Sequence, residues 1–191
     1  MQSVRSALPS LILLLAALAT PVSAEPESQR QAASPAISNP RIDYSGFLQT
    51  AQEVERYRKS RRVTEAAFLK MAREPGTLIL DTRSAAAYAK VHVAGAVHLN
   101  FSDITKTSLA RVIPKKSTRV LIYCNNNFRS QREALVAKRA GAALNIPTFI
   151  TLYEYGYRNV YELGPVIDEA DSRLPLASGT PTGQMEPSQA G

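Results

Sequence analysis

Apolar and polar residues alternate along this chain with two periods, one typical of helices and one typical of buried strands. Apolar residues at positions 44, 47, 48, 51 and 54 follow the helical spacing and predict an amphipathic helix over residues 43–60. Thr64 is a suitable N-cap for a second helix, which Pro75 and Gly76 end. The run Thr77–Leu80 is short, apolar and contains β-branched residues, so it predicts a buried strand.

The alternation continues through the rest of the core. Ser84 caps a short predicted helix, and Ser102 opens another that Pro114 ends. Further strands are predicted at residues 96–99, 119–123 and 148–152, and further helices at residues 129–142 and 157–163. Short apolar strands that alternate with helices are typical of a parallel sheet covered on both faces. The pattern therefore predicts a layered α/β domain.

Both ends of the chain differ from this core. Residues 1–24 combine a single basic residue, the apolar run Leu11–Ala19 and a small-x-small ending, as a secretory signal peptide does. An uncleaved membrane anchor is the alternative, although the run is short for a span. Residues 25–41 are predicted to be a flexible leader, residues 42–171 the domain, and residues 172–191 a disordered tail. We therefore expect a periplasmic or secreted protein without stable membrane association after signal cleavage.

The amino-acid composition limits the kinds of site that this chain can form. Of 191 residues, one is Cys and two are His, which excludes an internal disulfide and a zinc site built from cysteines. We expect neither a metal nor a cofactor. The formal net charge is +7, and basic residues cluster at positions 56–62. We expect this cluster to be a solvated helix end and expect no nucleic-acid partner, so the charge would at most attract a small anion.

The single cysteine, Cys124, follows the clearest predicted strand and precedes a predicted helix. In open α/β sheets, ligands bind beyond the carboxyl ends of the strands. A helix starting near Arg129 would point its free N–H groups into the connecting loop and favour an anion or a thiolate. Three asparagines in the loop tolerate tight turns and add amide donors, and Arg129 and Arg132 add positive charge. We expect a nucleophilic thiolate in an anion-binding loop; the alternative is a small buried core cysteine.

Two blocks of residues surround these positions. The first contains Asp81-Thr82-Arg83, Tyr88 and the run HVAGAVHL from His92 to Leu99. The second contains VLIYC from Val120 to Cys124, followed by Arg129 and Ser130. In order and separation the two blocks resemble the rhodanese-like domain family, over roughly residues 60–170. The resemblance implies a three-layer α/β fold with a central, mostly parallel sheet of about five strands flanked by helices.

The resemblance also implies a sulfurtransferase, which moves sulfane sulfur from an anionic donor such as thiosulfate to cyanide or a thiol. Cys124 would be the nucleophile and would hold the sulfur as a persulfide. The amides of the loop would bind the donor; the loop residues are Asn125, Asn126, Asn127, Phe128 and Arg129, and Arg129 would orient the anion. Asp81, Arg83 and His92 also match family positions, where we expect them to stabilise loops through hydrogen bonds.

Loop length and local departures from the family bear on this hypothesis. Four residues separate Cys124 from Arg129, one fewer than in related phosphatases and arsenate reductases, and the shorter loop favours sulfur transfer. However, the loop contains no Gly, and the chain has no Trp and no Gly-Gly pair after its last predicted strand. These departures favour a second hypothesis, a non-catalytic binding or carrier module. A third is a thiol relay in which Cys124 forms mixed disulfides.

Overall fold

The structure, a computed structural model, describes residues 39–180. The predicted signal peptide, most of the leader and the end of the tail lie outside the described residues. The α-helices in this part of the chain are α1 (Tyr44–Arg58), α2 (Glu65–Ala72), α3 (Ala85–Lys90), α4 (Lys106–Val112) and α5 (Asn145–Glu154). The strands are β1 (Arg62–Val63), β2 (Thr77–Asp81), β3 (His92–Val93), β4 (Val97–His98), β5 (Arg119–Ile122), β6 (Phe128–Arg129), β7 (Val160–Leu163), β8 (Ile167–Asp168) and β9 (Leu176–Ala177). No helix within residues 39–180 is long and apolar enough to cross a membrane.

Five strands form one parallel sheet in the order β1-β7-β5-β2-β4. The register places Leu121 of β5 opposite Ile79 on one side and Tyr161 on the other, and β7, β5 and β2 are the inner strands. Two short pairs lie apart from this sheet: β3 with β9, antiparallel, and β6 with β8, parallel. The predicted α/β fold with a central, mostly parallel sheet is confirmed.

Helices cover both faces of the sheet, and successive residues of each strand point to opposite faces, as the strand period requires. One face packs against α2 and α3 and the other against α1, α4 and α5. The first face includes Ile79, Leu121, Tyr123 and Leu163, and the second includes Leu80, Val120, Ile122 and Val160. The sheet is therefore the middle of three layers, and its inner strands are apolar on both sides.

Local capping follows the sequence closely at most helix starts. The side chains of Asp43, Thr64 and Ser84 each accept a hydrogen bond from the N–H three residues further on, at the starts of α1, α2 and α3. The predicted start at Ser102 is wrong. That residue lies in a 3-10 turn, and α4 begins later behind Thr105, whose side chain forms the cap.

Three predicted elements between residues 129 and 163 are wrong. The predicted helix 129–142 is replaced by β6 and two 3-10 turns, Glu133–Leu135 and Ala140–Ala142. The predicted strand 148–152 lies inside α5, and the predicted helix 157–163 contains β7. Residues 148–152 are almost entirely buried, and a run that is buried on nearly every side has no period by which a helix and a strand can be distinguished.

The predicted disordered tail begins too early. Strand β9 pairs with β3, and Leu174 is only 4% exposed. The Glu65 carboxylate accepts hydrogen bonds from the Ser172 hydroxyl and from the N–H groups of Arg173 and Leu174. The domain therefore extends beyond residue 171, to at least Ala177.

The basic end of α1 is only in part a solvated helix end, because Arg56, Lys59 and Arg62 are exposed whereas Arg58 and Arg61 are half-buried. Glu162 of β7 is 1% exposed and accepts hydrogen bonds from Arg58, at 2.7 Å, and forms an ion pair with Arg62, at 2.8 Å. The Arg61 guanidinium lies over the rings of Tyr57 and Tyr161, 4.5 and 4.9 Å from their centroids. These contacts attach the end of α1 to the sheet, so the prediction is wrong for Arg58 and Arg61.

Candidate functional site

Cys124 directly follows β5, at the carboxyl end of an inner strand, where the sequence predicted it. It precedes a single 3-10 turn formed by the three asparagines, and it is 2% exposed. The backbone N–H of Asn127 donates to the Cys124 carbonyl oxygen at 3.1 Å and so closes this turn. The thiol thus has almost no contact with solvent.

Asn127 closes this loop from the inside. Its Oδ1 accepts hydrogen bonds from the Cys124 N–H at 2.9 Å and from the Asn145 side chain at 3.1 Å. Its Nδ2 donates to the carbonyl oxygens of Leu163 at 2.8 Å and Pro165 at 3.2 Å. Every one of these partners belongs to the chain itself, so the Asn127 side chain holds the loop against the end of β7.

Asn125 and Asn126 bind a different stretch, residues 133–138, which is called the 133–138 segment below. The Asn125 Nδ2 donates to the Val136 carbonyl at 3.0 Å. The Asn126 side chain donates to the Lys138 carbonyl at 2.7 Å and accepts from the Lys138 N–H at 3.0 Å. The side chains of the three predicted loop asparagines are therefore all engaged in intramolecular hydrogen bonds.

Phe128 and Arg129 lead away from the thiol. Phe128 is 4% exposed and packs edge-on against Tyr123, with ring centroids 6.0 Å apart. The Arg129 side chain is 77% exposed, and its Nη1 lies 3.9 Å from the Asp168 carboxylate. An open groove of about 650 Å³ is lined by residues 129–132 and 168–170, and Cys124 is not among its lining residues. No α-helix begins near Arg129, so the expected helix N-terminus beside the loop is wrong.

Asp81 and Arg83 form a buried ion pair below the loop, with Arg83 Nη2 2.6 Å from Asp81 Oδ2. The Tyr123 hydroxyl donates to the same carboxylate and accepts from the Val93 N–H at 2.9 Å. Burial raises the pKa of Tyr123 well above its ordinary value of 10.0, and the negative charge of Asp81 raises it further. Burial alone would lower the pKa of Arg83, but its hydrogen bond and attraction to Asp81 raise it.

Arg83 also connects this ion pair to the loop. Its Nη1 donates to Asn125 Oδ1 at 3.3 Å and to the Ala134 carbonyl at 3.2 Å. His92 lies farther out: its Nδ1 is 2.8 Å from the Tyr88 carbonyl oxygen, and its ring stacks on the Tyr88 ring with centroids 3.8 Å apart. These residues take part in the kind of loop-stabilising hydrogen bond expected of them. Among residues 39–180, no group of three or more His, Cys, Asp or Glu could hold a metal ion.

Sequence reasoning missed two parts of this neighbourhood. From the sequence, Tyr123 is predicted only as the end of a strand. Its place directly before Cys124 in the sequence is the signal that could have indicated a residue of the site. The 133–138 segment was assigned to a helix, and nothing in its sequence indicates that Asn125 and Asn126 bind its backbone.

A sequence model described as the Rhodanese-like domain matches residues 64–163, which is just over half of the chain and includes Cys124 and both sequence blocks. The chain belongs to the rhodanese-like domain family. The match runs from the cap of α2 to the end of β7, and so spans the sheet strands from β2 to β7.

Solved structures similar to this rhodanese-like domain include three bacterial proteins. The BH2092 protein from Bacillus halodurans is 20% identical, with 62% of this chain and 76% of that chain covered and a TM-score of 0.42. A structure described as rhodanese with anions from E. coli is 24% identical, with 54% and 99% covered and a TM-score of 0.38. The rhodanese-like domain of the Anabaena sp. Alr3790 protein is 20% identical, with 66% and 89% covered and a TM-score of 0.42. No curated protein matches the chain.

Proposed function

We propose that this rhodanese-like domain is a sulfurtransferase in which Cys124 carries sulfane sulfur. The observation that supports the proposal is the position of the thiol at the carboxyl end of β5, an inner strand of the sheet. In open α/β sheets, ligands bind beyond the carboxyl ends of the strands, which is where this thiol lies.

The chemistry requires two displacements at sulfur. The Cys124 thiolate attacks the outer sulfur of thiosulfate, the donor's S–S bond breaks, and sulfite leaves with the bonding electron pair. Cys124 then holds the outer sulfur as a persulfide. Attack by cyanide or a thiolate on that sulfur breaks the new S–S bond, releases thiocyanate or a small persulfide, and regenerates the thiolate. The two steps balance without an external oxidant or reductant.

The proposed partners are a small anionic sulfur donor and a cyanide or thiol acceptor, and the proposed location is the periplasm or the exterior. The net charge of +7 favours the approach of an anion. Arg129 and Arg132 line the open groove next to the loop, with side chains 77% and 58% exposed. We assign Arg129 to the long-range attraction of the donor, because it is too exposed to act as a buried clamp, whereas Arg132 is paired with the Glu169 carboxylate at 2.6 Å.

A second candidate is a non-catalytic rhodanese-like module that binds a partner. It is favoured by the 2% exposure of Cys124 and by the engagement of the three loop asparagines with the chain's own backbone. In this module the loop would be a structural element, and Cys124 would have no chemical role.

Intact mass of the full chain after incubation with thiosulfate separates these candidates. The sulfurtransferase proposal expects the addition of one sulfur atom, its loss on addition of cyanide, and the appearance of thiocyanate. The matched control is Cys124→Ser, which keeps a small polar side chain at the same position and should gain no sulfur. An unchanged mass for the folded wild-type chain, together with no thiocyanate, would overturn the proposal in favour of the binding module.

A further inference from the structure

We propose that Asn125 and Asn126 control the access of reagents to Cys124, because they tether the 133–138 segment against the loop that carries the thiol. The inference rests on the proposed function, since controlled access matters for a thiol that reacts. It accounts for two facts together: a cysteine at the carboxyl end of an inner strand that is only 2% exposed, and adjacent asparagines whose amides bind backbone groups of the chain.

The tether consists of three hydrogen bonds from two consecutive side chains. Asn125 binds the carbonyl of Val136, and Asn126 binds both the carbonyl and the N–H of Lys138. The Asn126 side chain thus binds one backbone N–H and one backbone carbonyl, the two groups that a neighbouring strand would bind in a sheet. Residues 136–138 are thereby held beside the loop without any strand pairing of their own.

The two sides of the loop differ in how easily they can separate. On the Asn127 side, the contacts with Leu163 and Asn145 are buried, and breaking them would expose the core. On the other side, Asn125 and Asn126 are half-buried and residues 136–138 are exposed. The hydrogen bonds on this side can break without exposing the core, so local opening occurs here first.

The base of the 133–138 segment stays attached when its outer part moves. Ala134 and Leu135 are buried in the core, and Arg83 donates to the Ala134 carbonyl at 3.2 Å. Opening is therefore confined to residues 136–138, which pivot about Leu135. A limited opening of this kind admits a small donor such as thiosulfate and excludes bulky reagents and protein thiols.

The test measures the alkylation rate of Cys124 in the full chain, with iodoacetamide as the small probe and a polyethylene glycol maleimide as the bulky one. The Asn125→Ala/Asn126→Ala variant should react faster with both, by about fivefold for each hydrogen bond lost, with the larger gain for the bulky probe. The control is Asn159→Ala, because Asn159 is also half-buried and donates to a backbone carbonyl, that of Ser117, remote from the loop. Equal rates in the wild type, the double variant and the control would overturn the inference.

Two further measurements keep the test decisive. If circular dichroism shows that the double variant is unfolded, the single variant Asn126→Ala is used, and it should still react faster than Asn159→Ala. Hydrogen exchange of the Lys138 amide should accelerate in Asn126→Ala, because that variant removes its acceptor; unchanged exchange would overturn the tether. Neither probe needs a sulfur donor, so failure of sulfur transfer and failure of this inference are recorded separately.

Discussion

The Oδ1 atom of Asn127 lies 2.9 Å from the backbone nitrogen of Cys124 and accepts its hydrogen bond. The backbone N–H of the residue that carries the thiol is therefore bound by a side chain of the same loop. The same side chain reaches across to the carbonyls of Leu163 and Pro165, beyond the end of β7. A single amide thus connects the loop after β5 with the neighbouring strand. The stability of the domain and the shape of the site depend on the same residue.

Asn127→Ala should destabilise the domain more than an ordinary loss of one hydrogen bond. The substitution leaves the Cys124 N–H and the Leu163 carbonyl without partners in a buried position. We expect the free energy of unfolding to fall by about 3 kcal/mol, measured by urea denaturation, because each buried unpaired group costs about 1–3 kcal/mol. Asn159→Ala should cost about 1 kcal/mol. Equal losses of unfolding free energy in the two variants would contradict the conclusion that Asn127 satisfies buried backbone groups.

The stability of the domain should decrease at high pH because of Tyr123. Its pKa is raised in the folded chain by burial and by Asp81, so the unfolded chain loses the phenolic proton first. The stabilisation is complete below pH 10.0, the ordinary value, and is lost progressively as the pH rises from there towards the raised pKa. Tyr123→Phe should reduce this dependence, and ultraviolet titration should show late ionisation of Tyr123 that is absent from the variant; Tyr88, whose pKa is raised by burial and by Asp81, ionises late in both. The absence of a late-ionising tyrosine would contradict the buried position.

Glu162→Gln should loosen α1 from the sheet. Glu162 is buried and interacts with Arg58 and Arg62, whose side chains are 23% and 53% exposed. Solvent screens the partly exposed arginines, so we expect a loss of about 2 kcal/mol in thermal or urea unfolding, less than for a fully buried pair. The control Glu133→Gln removes an ion pair with Lys90 on the surface and should leave unfolding unchanged. Identical unfolding curves for both variants would show that Glu162 does not hold α1.

Truncation after Asp171 should destabilise the domain, although this stretch was predicted to be disordered. It removes the buried Leu174 side chain, the β3–β9 pairing and the hydrogen bonds to Glu65. A loss of about 3 kcal/mol is expected from the apolar burial and hydrogen bonds together. Equal stability of the truncated chain and the full chain would contradict a domain that extends beyond residue 171.

The parts of the fold that the sequence predicted are those with a local physical signal. Helix α1 has the helical period, and α2 and α3 have caps whose side chains bind the first turn. Strands β2 and β5 are short apolar runs between turn signals. These features depend on residues a few positions apart in the sequence. They can therefore be predicted without knowing the tertiary contacts. The position of Cys124 at the end of a strand follows from the same local signals.

The region from residue 129 to residue 163 could not be predicted in this way, because its partners are distant in sequence. Residues 133–138 have helix-forming side chains, but the carbonyls of Ala134, Val136 and Lys138 accept bonds from Arg83, Asn125 and Asn126 rather than from a helical turn. The run 148–152 contains strand-forming residues, yet packing on both α1 and the sheet makes it helical.

The sequence by itself determined the α/β class, the family and a single thiol at the carboxyl end of a strand. Only the tertiary structure decided that the three asparagines beside that thiol bind the chain itself, and that the tail joins β3. The physical reason is that hydrophobic period and capping act over a few residues. Side-chain hydrogen bonds to distant backbone groups, in contrast, exist only once the layers have packed.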